Sequence, residues 1–286
     1  MYPYFVGTSI SLYATMMALG AAIGILVAVL RIPKTKKTIP GLQLAENFNG
    51  LTKLNVLLCS LYALAFGLLG AKLFNIIGNI KNVIDGLISF YELFSSGFMF
   101  YGGLFGGAIG ILFYCKLFKI KIRYMFDAIS IGLPLGQCFG RIGCFLAGCC
   151  YGVPTDSVIG VVFKNPANLA TPIGIPLVPV QLIESALCFG IFVFLIIYGA
   201  KKNSYGNFAR KGGSLFALYC ILYATGRFII EFWRGDSVRG FVGVLSWSQF
   251  IGIIIFIVLG AVYLWIYIYK KKNIKIDFVD KNFLEN

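Results

Sequence analysis

The stretch TSISLYATMMALGAAIGILVAVL, residues 8–30, runs for 23 residues without a charged side chain. At a rise of about 1.5 Å per residue, a helix of that length crosses a hydrocarbon core of roughly 30 Å. Residues 93–115 and 244–269 form two further uncharged stretches of at least the same length. This pattern predicts a protein whose helices span a membrane.

The composition of the chain and its shorter apolar runs extend this prediction. Of the 286 residues, 59% are hydrophobic and 13% are charged, whereas about a quarter of the residues of an ordinary soluble domain are charged. Shorter uncharged runs occupy residues 55–71, 128–140, 185–199 and 212–226. We therefore expect an all-α membrane protein with about seven transmembrane helices.

The basic residues are distributed unevenly between the predicted connections. Eighteen of the 25 lysines and arginines fall in alternate connections and in the tail, at residues 31–53, 116–123, 201–211 and 270–281. By the positive-inside rule, the N-terminus lies outside and the C-terminus in the cytoplasm. The net charge of +14 then reflects topology, and we expect no nucleic-acid partner. One polytopic domain, residues 1–272, is expected to precede a short cytoplasmic tail, residues 273–286.

Two segments are expected on the outer face of the membrane. Residues 79–92 alternate polar and apolar side chains over too short a length to span. Residues 151–178 contain several prolines and a β-prone stretch at 158–163, which predicts a small extracytoplasmic cap.

Four charged residues fall within the predicted spans: Arg141, Glu184, Arg227 and Glu231. An arginine at the centre of a bilayer costs about 2.5 to 3.5 kcal/mol, so each of these charges requires a physical reason. Tyr223, Arg227 and Glu231 are spaced four apart and share one helix face. Either Arg227 and Glu231 neutralise each other, or the pair holds Arg227 toward a lipid headgroup. A guanidinium offers a planar fork of donors that suits phosphate, so Arg141 and Arg227 predict a phospholipid-binding pair.

Five sequence elements resemble those of one membrane enzyme family, the prolipoprotein diacylglyceryl transferases. The stretch GRIGCFLAGCCYG, residues 140–152, resembles the family signature. Tyr-Gly-Gly-Leu at 101–104 resembles its His-Gly-Gly-Leu element, and residues 179–184 resemble its His-Pro-x-Gln-Leu-Tyr-Glu element. Residues 223–234 follow its Tyr, Gly-Arg-Phe and Glu-Phe-x-Arg pattern, and residues 245–249 resemble the element that opens its last span. These elements occur in the family's order over nearly the whole chain.

The resemblance implies that the diacylglyceryl group of phosphatidylglycerol is transferred to the lipobox cysteine thiol of a preprolipoprotein, releasing glycerol phosphate. It implies a multi-pass protein of the bacterial cytoplasmic membrane and no dissociable cofactor, because the lipid is itself the donor. Arg141 and Arg227 would stabilise the charge that develops on the leaving phosphate. The expected catalytic residues are Arg141, Arg227, Glu231 and Tyr101. The residues expected to bind phosphatidylglycerol are Arg141, Arg227, Tyr223, Gly152, Gln181, Glu184, Gly102 and Gly103.

The chain departs from the family pattern at several of these positions. It contains no histidine, and Tyr101 stands where the family has one. Cys144 and Ala147 replace asparagines, and Cys149 replaces a glutamate. A non-catalytic or retargeted relative that binds a lipid or a lipoprotein precursor is therefore an alternative. A membrane transporter is a second alternative, although we find no internal repeat of the kind that many transporters carry.

Several further polar residues and the cysteines have more than one interpretation. Gln181 and Glu184 lie one helical turn apart, where they make either a buried interhelical hydrogen bond or an orienting contact to substrate or Arg141. Lys72 and Asp127 are expected to reach water from span ends. Five cysteines are expected to be packing residues. For the cluster Cys144, Cys149 and Cys150 we expect no metal site, because the spacing is unfamiliar and histidine is absent; packing thiols or an outer-face disulfide remain open.

Overall fold

The computed structural model describes residues 3–4, 11–32, 51–95, 97–167, 170–200, 213–236, 240–243 and 245–271. Within these residues the chain is predominantly helical, as the sequence predicted. The predicted tail, residues 273–286, and the basic connection at 201–211 lie outside the described residues.

The helices alternate with short connections along the chain. Their bounds are α1, Leu12–Leu30; α2, Lys53–Ile84; α3, Phe90–Ser95; α4, Phe100–Leu117; α5, Ile122–Ser130; α6, Leu133–Ala147; α7, Val180–Ala200; α8, Ser214–Ile230; and α9, Trp247–Lys271. A 3-10 turn, Glu231–Trp233, continues α8. Two antiparallel strand pairs complete the described structure: β1, Val161–Val162, with β2, Pro176–Leu177, and β3, Phe241–Val242, with β4, Leu245–Ser246.

The membrane-spanning character predicted from the sequence is confirmed. Among the described residues five helices are long and apolar enough to cross a bilayer: α1, α2, α4, α7, and α8 with its 3-10 turn. The pair α5–α6 adds a sixth candidate if it counts as one span bent by 44°. The stretch predicted as the last span is helical as α9, but its described apolar part, Trp247–Val262, is shorter than a span. The count of seven and the orientation of the termini stay predictions.

The bend between α5 and α6 coincides with Gly132 and Pro134. Proline has no backbone N–H and is tolerated in the first turn of a helix, where that donor has no intrahelical partner. At Gly132 an added Cβ would lie 2.1 Å from the carbonyl oxygen of Gly24, so only glycine allows this approach of the α1 backbone. The break in the predicted fourth span therefore has a local cause.

Two compact units make up the fold. One consists of Ala14–Gly140 and Cys188–Phe216, and the other of Met1–Tyr13, Arg141–Leu187 and Ala217–Asn286. We call them the helical unit and the charged unit. The charged unit contains two hydrophobic cores. One is formed by Tyr151, Phe163 and Leu177 of the predicted cap, and the other by Val178, Val180 and Ile230.

In the helical unit, glycines allow α2 and α4 to pack closely. An added Cβ at Gly102 would lie 2.4 Å from the carbonyl oxygen of Gly70, and one at Gly106 would lie 2.3 Å from that of Phe66. Small residues at helix crossings are typical of membrane proteins, because close backbones maximise van der Waals contact where the hydrophobic effect is absent. A buried core that includes Val56, Cys59 and Tyr114 continues this contact.

The prediction that Asp127 reaches water from a span end is wrong. Asp127 is only 6% exposed, and its carboxylate accepts hydrogen bonds from the backbone N–H groups of Gly213 at 2.7 Å and Phe216 at 2.9 Å. These donors belong to the N-terminus of α8, where N–H groups have no intrahelical partner. Asp127 therefore caps a helix that is distant in sequence, and a sequence pattern does not reveal such a partner.

The segment assigned to an outer-face connection, residues 79–92, is partly helical. Helix α2 continues through Ile84, and α3 begins at Phe90. Ser89 and Glu92 form a capping box at the start of α3, with the Ser89 N–H donating to the Glu92 carboxylate at 2.7 Å and the Glu92 N–H donating to the Ser89 hydroxyl at 3.1 Å.

Candidate active site

The four charges predicted inside the membrane lie together in the charged unit. Arg141 comes from α6, Glu184 from α7, Arg227 from α8, and Glu231 from the 3-10 turn that follows. Arg141 Nη2 lies 3.0 Å from Glu184 Oε1, and Arg227 Nε lies 3.7 Å from the same oxygen. Arg227 Nη1 lies 2.6 Å from Glu231 Oε2. The four side chains therefore form a continuous alternation of positive and negative charge.

Glu184 Oε1 is the centre of this network. Besides the two guanidinium groups, the Tyr223 hydroxyl donates a hydrogen bond to it at 3.0 Å. The carboxylate is fully buried, so its charge is stable only with such partners. Both interpretations of Glu184 from the sequence therefore have a counterpart in the structure: an interhelical hydrogen bond, with Tyr223, and a contact with Arg141.

Arg227 is fixed more completely than Arg141. Its Nη2 donates to the Ser248 hydroxyl at 3.1 Å, in addition to its contacts with Glu184 and Glu231. The side chain of Arg227 is 8% exposed, and that of Arg141 is 20% exposed. The contact with Glu184 engages one terminal nitrogen of Arg141, whose side chain is the more exposed of the two.

The charges of the network balance. Two guanidinium groups face two carboxylates, which lowers the cost of burying each ion, although one missing partner would leave a buried charge uncompensated. The self-neutralising pair predicted for Arg227 and Glu231 is observed at i, i+4 spacing. Arg227 also contacts Glu184 and Ser248, so the pair belongs to a larger network.

Gln181 lies one turn before Glu184 and contacts a different segment. Its Nε2 donates to the carbonyl oxygen of Cys149 at 2.7 Å, which ties α7 to the end of the signature stretch. The Oε1 of Gln181 is buried and accepts no hydrogen bond. An unsatisfied buried acceptor costs about 1 to 3 kcal/mol, and the contact of Gln181 with lipid stays a prediction.

Gly152 lies where three backbone segments meet. Its N–H donates to the carbonyl oxygen of Val178 at 3.1 Å, and an added Cβ would lie 2.4 Å from that oxygen and 2.9 Å from the Trp233 carbonyl oxygen. Only glycine fits there. The structure thus gives Gly152 a packing role, and its contact with lipid stays a prediction.

Arg234, next to this crossing, forms a further buried ion pair. Its Nε donates to Asp236 Oδ1 at 2.8 Å, and its Nη2 contacts the second carboxylate oxygen. Burial opposes the charge of Arg234, but the hydrogen bond and charge of Asp236 raise its pKa above the usual value. Asp236 was not predicted because it lies outside the predicted spans, and Ser248, although it lies in the predicted last span, carries no charge that would single it out.

Tyr101, Gly102 and Gly103 belong to the helical unit, on the first turns of α4. Gly102 and Gly103 face α2, where the Gly102 position is closed off by Gly70 and Phe74. The Tyr101 ring packs edge-on against Phe100, with 5.6 Å between the ring centroids. Their roles in catalysis and lipid binding stay predictions.

Three thiols meet at the end of α6. The Sγ atoms of Cys144, Cys149 and Cys150 all lie within 4.8 Å of one another, and we call these residues the thiol cluster. All eight cysteines are free thiols. Of the five expected to be packing residues, Cys59, Cys115, Cys138 and Cys188 are buried, as predicted.

Comparisons with known proteins agree with the resemblance. Residues 4–267 match the family described as prolipoprotein diacylglyceryl transferase. A Clostridium tetani protein named phosphatidylglycerol--prolipoprotein diacylglyceryl transferase is 40% identical over 252 residues, covering 88% of this chain and 91% of that protein. A second protein of that name, numbered 2, from Clostridium perfringens is 42% identical over 199 residues, 70% of this chain and 73% of its own length. One from Clostridioides difficile is 28% identical over 267 residues, 93% of this chain and 94% of its own length.

Proposed function

The chain belongs to the prolipoprotein diacylglyceryl transferase family, and we propose that it transfers the diacylglyceryl group of phosphatidylglycerol to the lipobox cysteine thiol of a preprolipoprotein. Glycerol phosphate is the second product. The protein acts in the bacterial cytoplasmic membrane with about seven spans, an external N-terminus and a cytoplasmic C-terminus. The charge distribution of the sequence supports this topology.

The observation that carries this proposal is the sharing of Glu184 Oε1 by Arg141 and Arg227. In the reaction, the cysteine sulfur forms a bond to a glycerol carbon while the bond between that carbon and the phosphate oxygen breaks. The electron pair of the broken bond stays on the phosphate, whose charge changes from about −1 to about −2. A preorganised pair of guanidinium groups stabilises the product-like charge more than the ground-state charge, which is the condition for catalysis.

We propose different roles for the two arginines. Arg141, the more exposed of the two, binds the phosphate with the donors that do not face Glu184. Arg227, the more buried of the two, stabilises the phosphate charge without binding it directly, and its guanidinium is held by Glu231 and Ser248. Tyr223 keeps Glu184 in place through its hydroxyl.

The test is transfer by the purified protein in detergent, with phosphatidylglycerol and a lipobox peptide. Mass spectrometry should show a diacylglyceryl adduct on the peptide cysteine, together with released glycerol phosphate. Arg141→Ala should abolish the adduct, and a peptide with serine at the lipobox position should not be modified. If the folded protein binds phosphatidylglycerol but modifies none of several lipobox peptides, the transferase proposal fails and a retargeted lipid-binding relative is the better account.

A further inference from the structure

The thiol cluster arises from the way α6 ends. The Cys149 N–H donates to the Cys144 carbonyl oxygen at 3.1 Å, and the Gly148 N–H donates to that of Phe145 at 3.1 Å, with Gly148 at φ +73°. This pattern is a Schellman motif, which places the second residue after the helix cap against the third residue before it. Here those two residues are Cys149 and Cys144, so the motif itself brings their side chains together.

Cys150 joins the pair through an unusual backbone conformation. Its φ is +58°, in the left-handed region that residues other than glycine rarely adopt. Such a conformation is strained and persists only where the surroundings enforce it, often at functional sites. The result is that the Cys150 Sγ also lies within 4.8 Å of the other two.

Three thiols at this spacing suit a metal ion. With zinc–sulfur bonds of about 2.3 Å in a tetrahedron, sulfur atoms lie about 3.8 Å apart. Side-chain shifts of about 1 Å or less therefore convert the observed cluster into three ligands. The prediction of no metal site rested on the absence of histidine and on spacing along the chain, whereas the Schellman motif brings together cysteines that are five residues apart.

The surrounding charges favour a divalent ion. Arg141 with Glu184, Arg227 with Glu231, and Arg234 with Asp236 are balanced pairs, so none of these six residues supplies the charge that three thiolates need. A dication leaves the cluster with about one net negative charge, whereas a monocation leaves about two.

We propose that Cys144, Cys149 and Cys150 bind a thiophilic divalent cation of the zinc class, and that the open fourth position takes the thiol of the acceptor cysteine. Three protein ligands with an open position are typical of catalytic zinc sites, whereas structural sites use four. A thiol that coordinates zinc loses its proton outright. The second half of the proposal rests on the proposed transferase function, and the first half does not.

This arrangement supplies an activated nucleophile in a chain without histidine. The acceptor S–H proton is released to water when the sulfur coordinates. The coordinated sulfur then forms its bond to the glycerol carbon as the carbon–oxygen bond to phosphate breaks, and the electron pair leaves on the phosphate. The thioether product is a weaker ligand than a thiolate, because thiolate is the form of cysteine that binds metals, so it can leave the ion.

Zinc binding is tested on the reduced, full-length protein in detergent, by competition with a chromophoric chelator. We expect one zinc ion per chain. Cys144→Ser, Cys149→Ser and Cys150→Ser should each weaken binding by more than about a hundredfold, since the loss of outer-shell partners alone costs tenfold to a hundredfold. Cys220→Ser is the matched control, because Cys220 lies in the same unit outside the cluster, and it should bind zinc as the wild type does.

X-ray absorption at the zinc edge tests the site without any variant. Three sulfur ligands at about 2.3 Å are expected for the protein alone, and four after addition of a lipobox peptide. The metal site would be overturned by a zinc coordination shell without sulfur, or by an equal loss of zinc in Cys220→Ser and in the cluster variants. A disulfide within the thiol cluster of the purified protein would overturn it as well. Three sulfurs that stay three with peptide would overturn its role toward the acceptor. Failure of transfer with four sulfurs present would count against the transferase function alone.

Discussion

Replacing Arg227 with lysine tests whether the fork of the guanidinium, and not only its charge, organises the active site. In the structure each of the three nitrogens has its own partner: Nε lies 3.7 Å from Glu184, Nη1 lies 2.6 Å from Glu231, and Nη2 donates to Ser248 at 3.1 Å. A lysine ammonium is a compact charge on a flexible stem and cannot reproduce this planar arrangement.

The size of the effect follows from these contacts. At an effective dielectric constant of about 20, unit charges 3.7 Å apart attract by about 4.5 kcal/mol, so the pull on Glu184 is a substantial part of the network. The lysine ammonium can stay paired with only one of the two carboxylates, Glu184 or Glu231, and the other carboxylate loses its contact with residue 227. Breaking a buried ion pair costs about 3 to 5 kcal/mol. The hydrogen bond to Ser248 adds about 1 kcal/mol. Arg227→Lys should therefore lose about 3 kcal/mol or more of transition-state stabilisation, about a hundredfold in rate.

The assay is the initial rate of diacylglyceryl transfer to a lipobox peptide. Arg31→Lys is the matched control: Arg31 Nη2 donates to the carbonyl oxygen of Ile196 at 3.2 Å, a contact of a kind that an ammonium can also make. Both variants should retain wild-type helical content by circular dichroism. A rate for Arg227→Lys within threefold or so of wild type, or equal losses in the two variants, would refute the reasoning about the fork.

Three further predictions concern the scaffold. Gly102→Ala places a Cβ 2.4 Å from a backbone oxygen and should lower the thermal unfolding midpoint, whereas Gly190→Ala meets no atom within 4 Å and should leave it unchanged or raise it. Asp127→Ala removes both acceptors from the N-terminus of α8 and should cost about 1 to 2 kcal/mol of unfolding free energy, measured by chemical denaturation in detergent. Hydrogen bonds from the backbone and then the side chain of Ser89 lower the pKa of Glu92 below the usual carboxyl value. The ionised Glu92 should therefore stabilise α3 fully above the usual carboxyl pKa, and α3 should lose its protection from amide exchange as the pH falls through the lowered pKa. Amide hydrogen exchange across residues 90–95 measures this, and Glu92→Gln should remove the pH dependence.

Local features of the site were predictable from the sequence, because they depend on helical spacing. The contact between Arg227 and Glu231 follows from residues four apart on one helix face. Arg141 and Glu184 could be singled out from the sequence because each lies at the end of an uncharged apolar run, 128–140 and 185–199. That Glu184 Oε1 receives both arginines and Tyr223 did not follow, because it depends on how three helices pack.

Features that depend on backbone conformation or on distant partners were not predictable. The thiol cluster requires left-handed conformations at Gly148 and Cys150, and no spacing rule for metal sites anticipates them. Asp127 was expected at a water interface, since a carboxylate at the end of an apolar run usually reaches solvent. Its actual partners lie more than 80 residues away in the chain.

The length of α2 has a consequence for how the protein tolerates its lipid surroundings. Its 32 residues span about 48 Å, well beyond a hydrocarbon thickness of roughly 30 Å. A tilt of about 50° would be needed to immerse the whole rod, more than transmembrane helices usually show. Its final turns carry Asn79, Lys81 and Asn82, with the Asn82 amide donating to Asn79 at 3.2 Å, and these polar turns suit the headgroup layer. In a thicker or thinner bilayer, the headgroup layer can then lie at a different level along these polar turns. The glycine contacts between α2 and α4, nearer the start of α2, need not change.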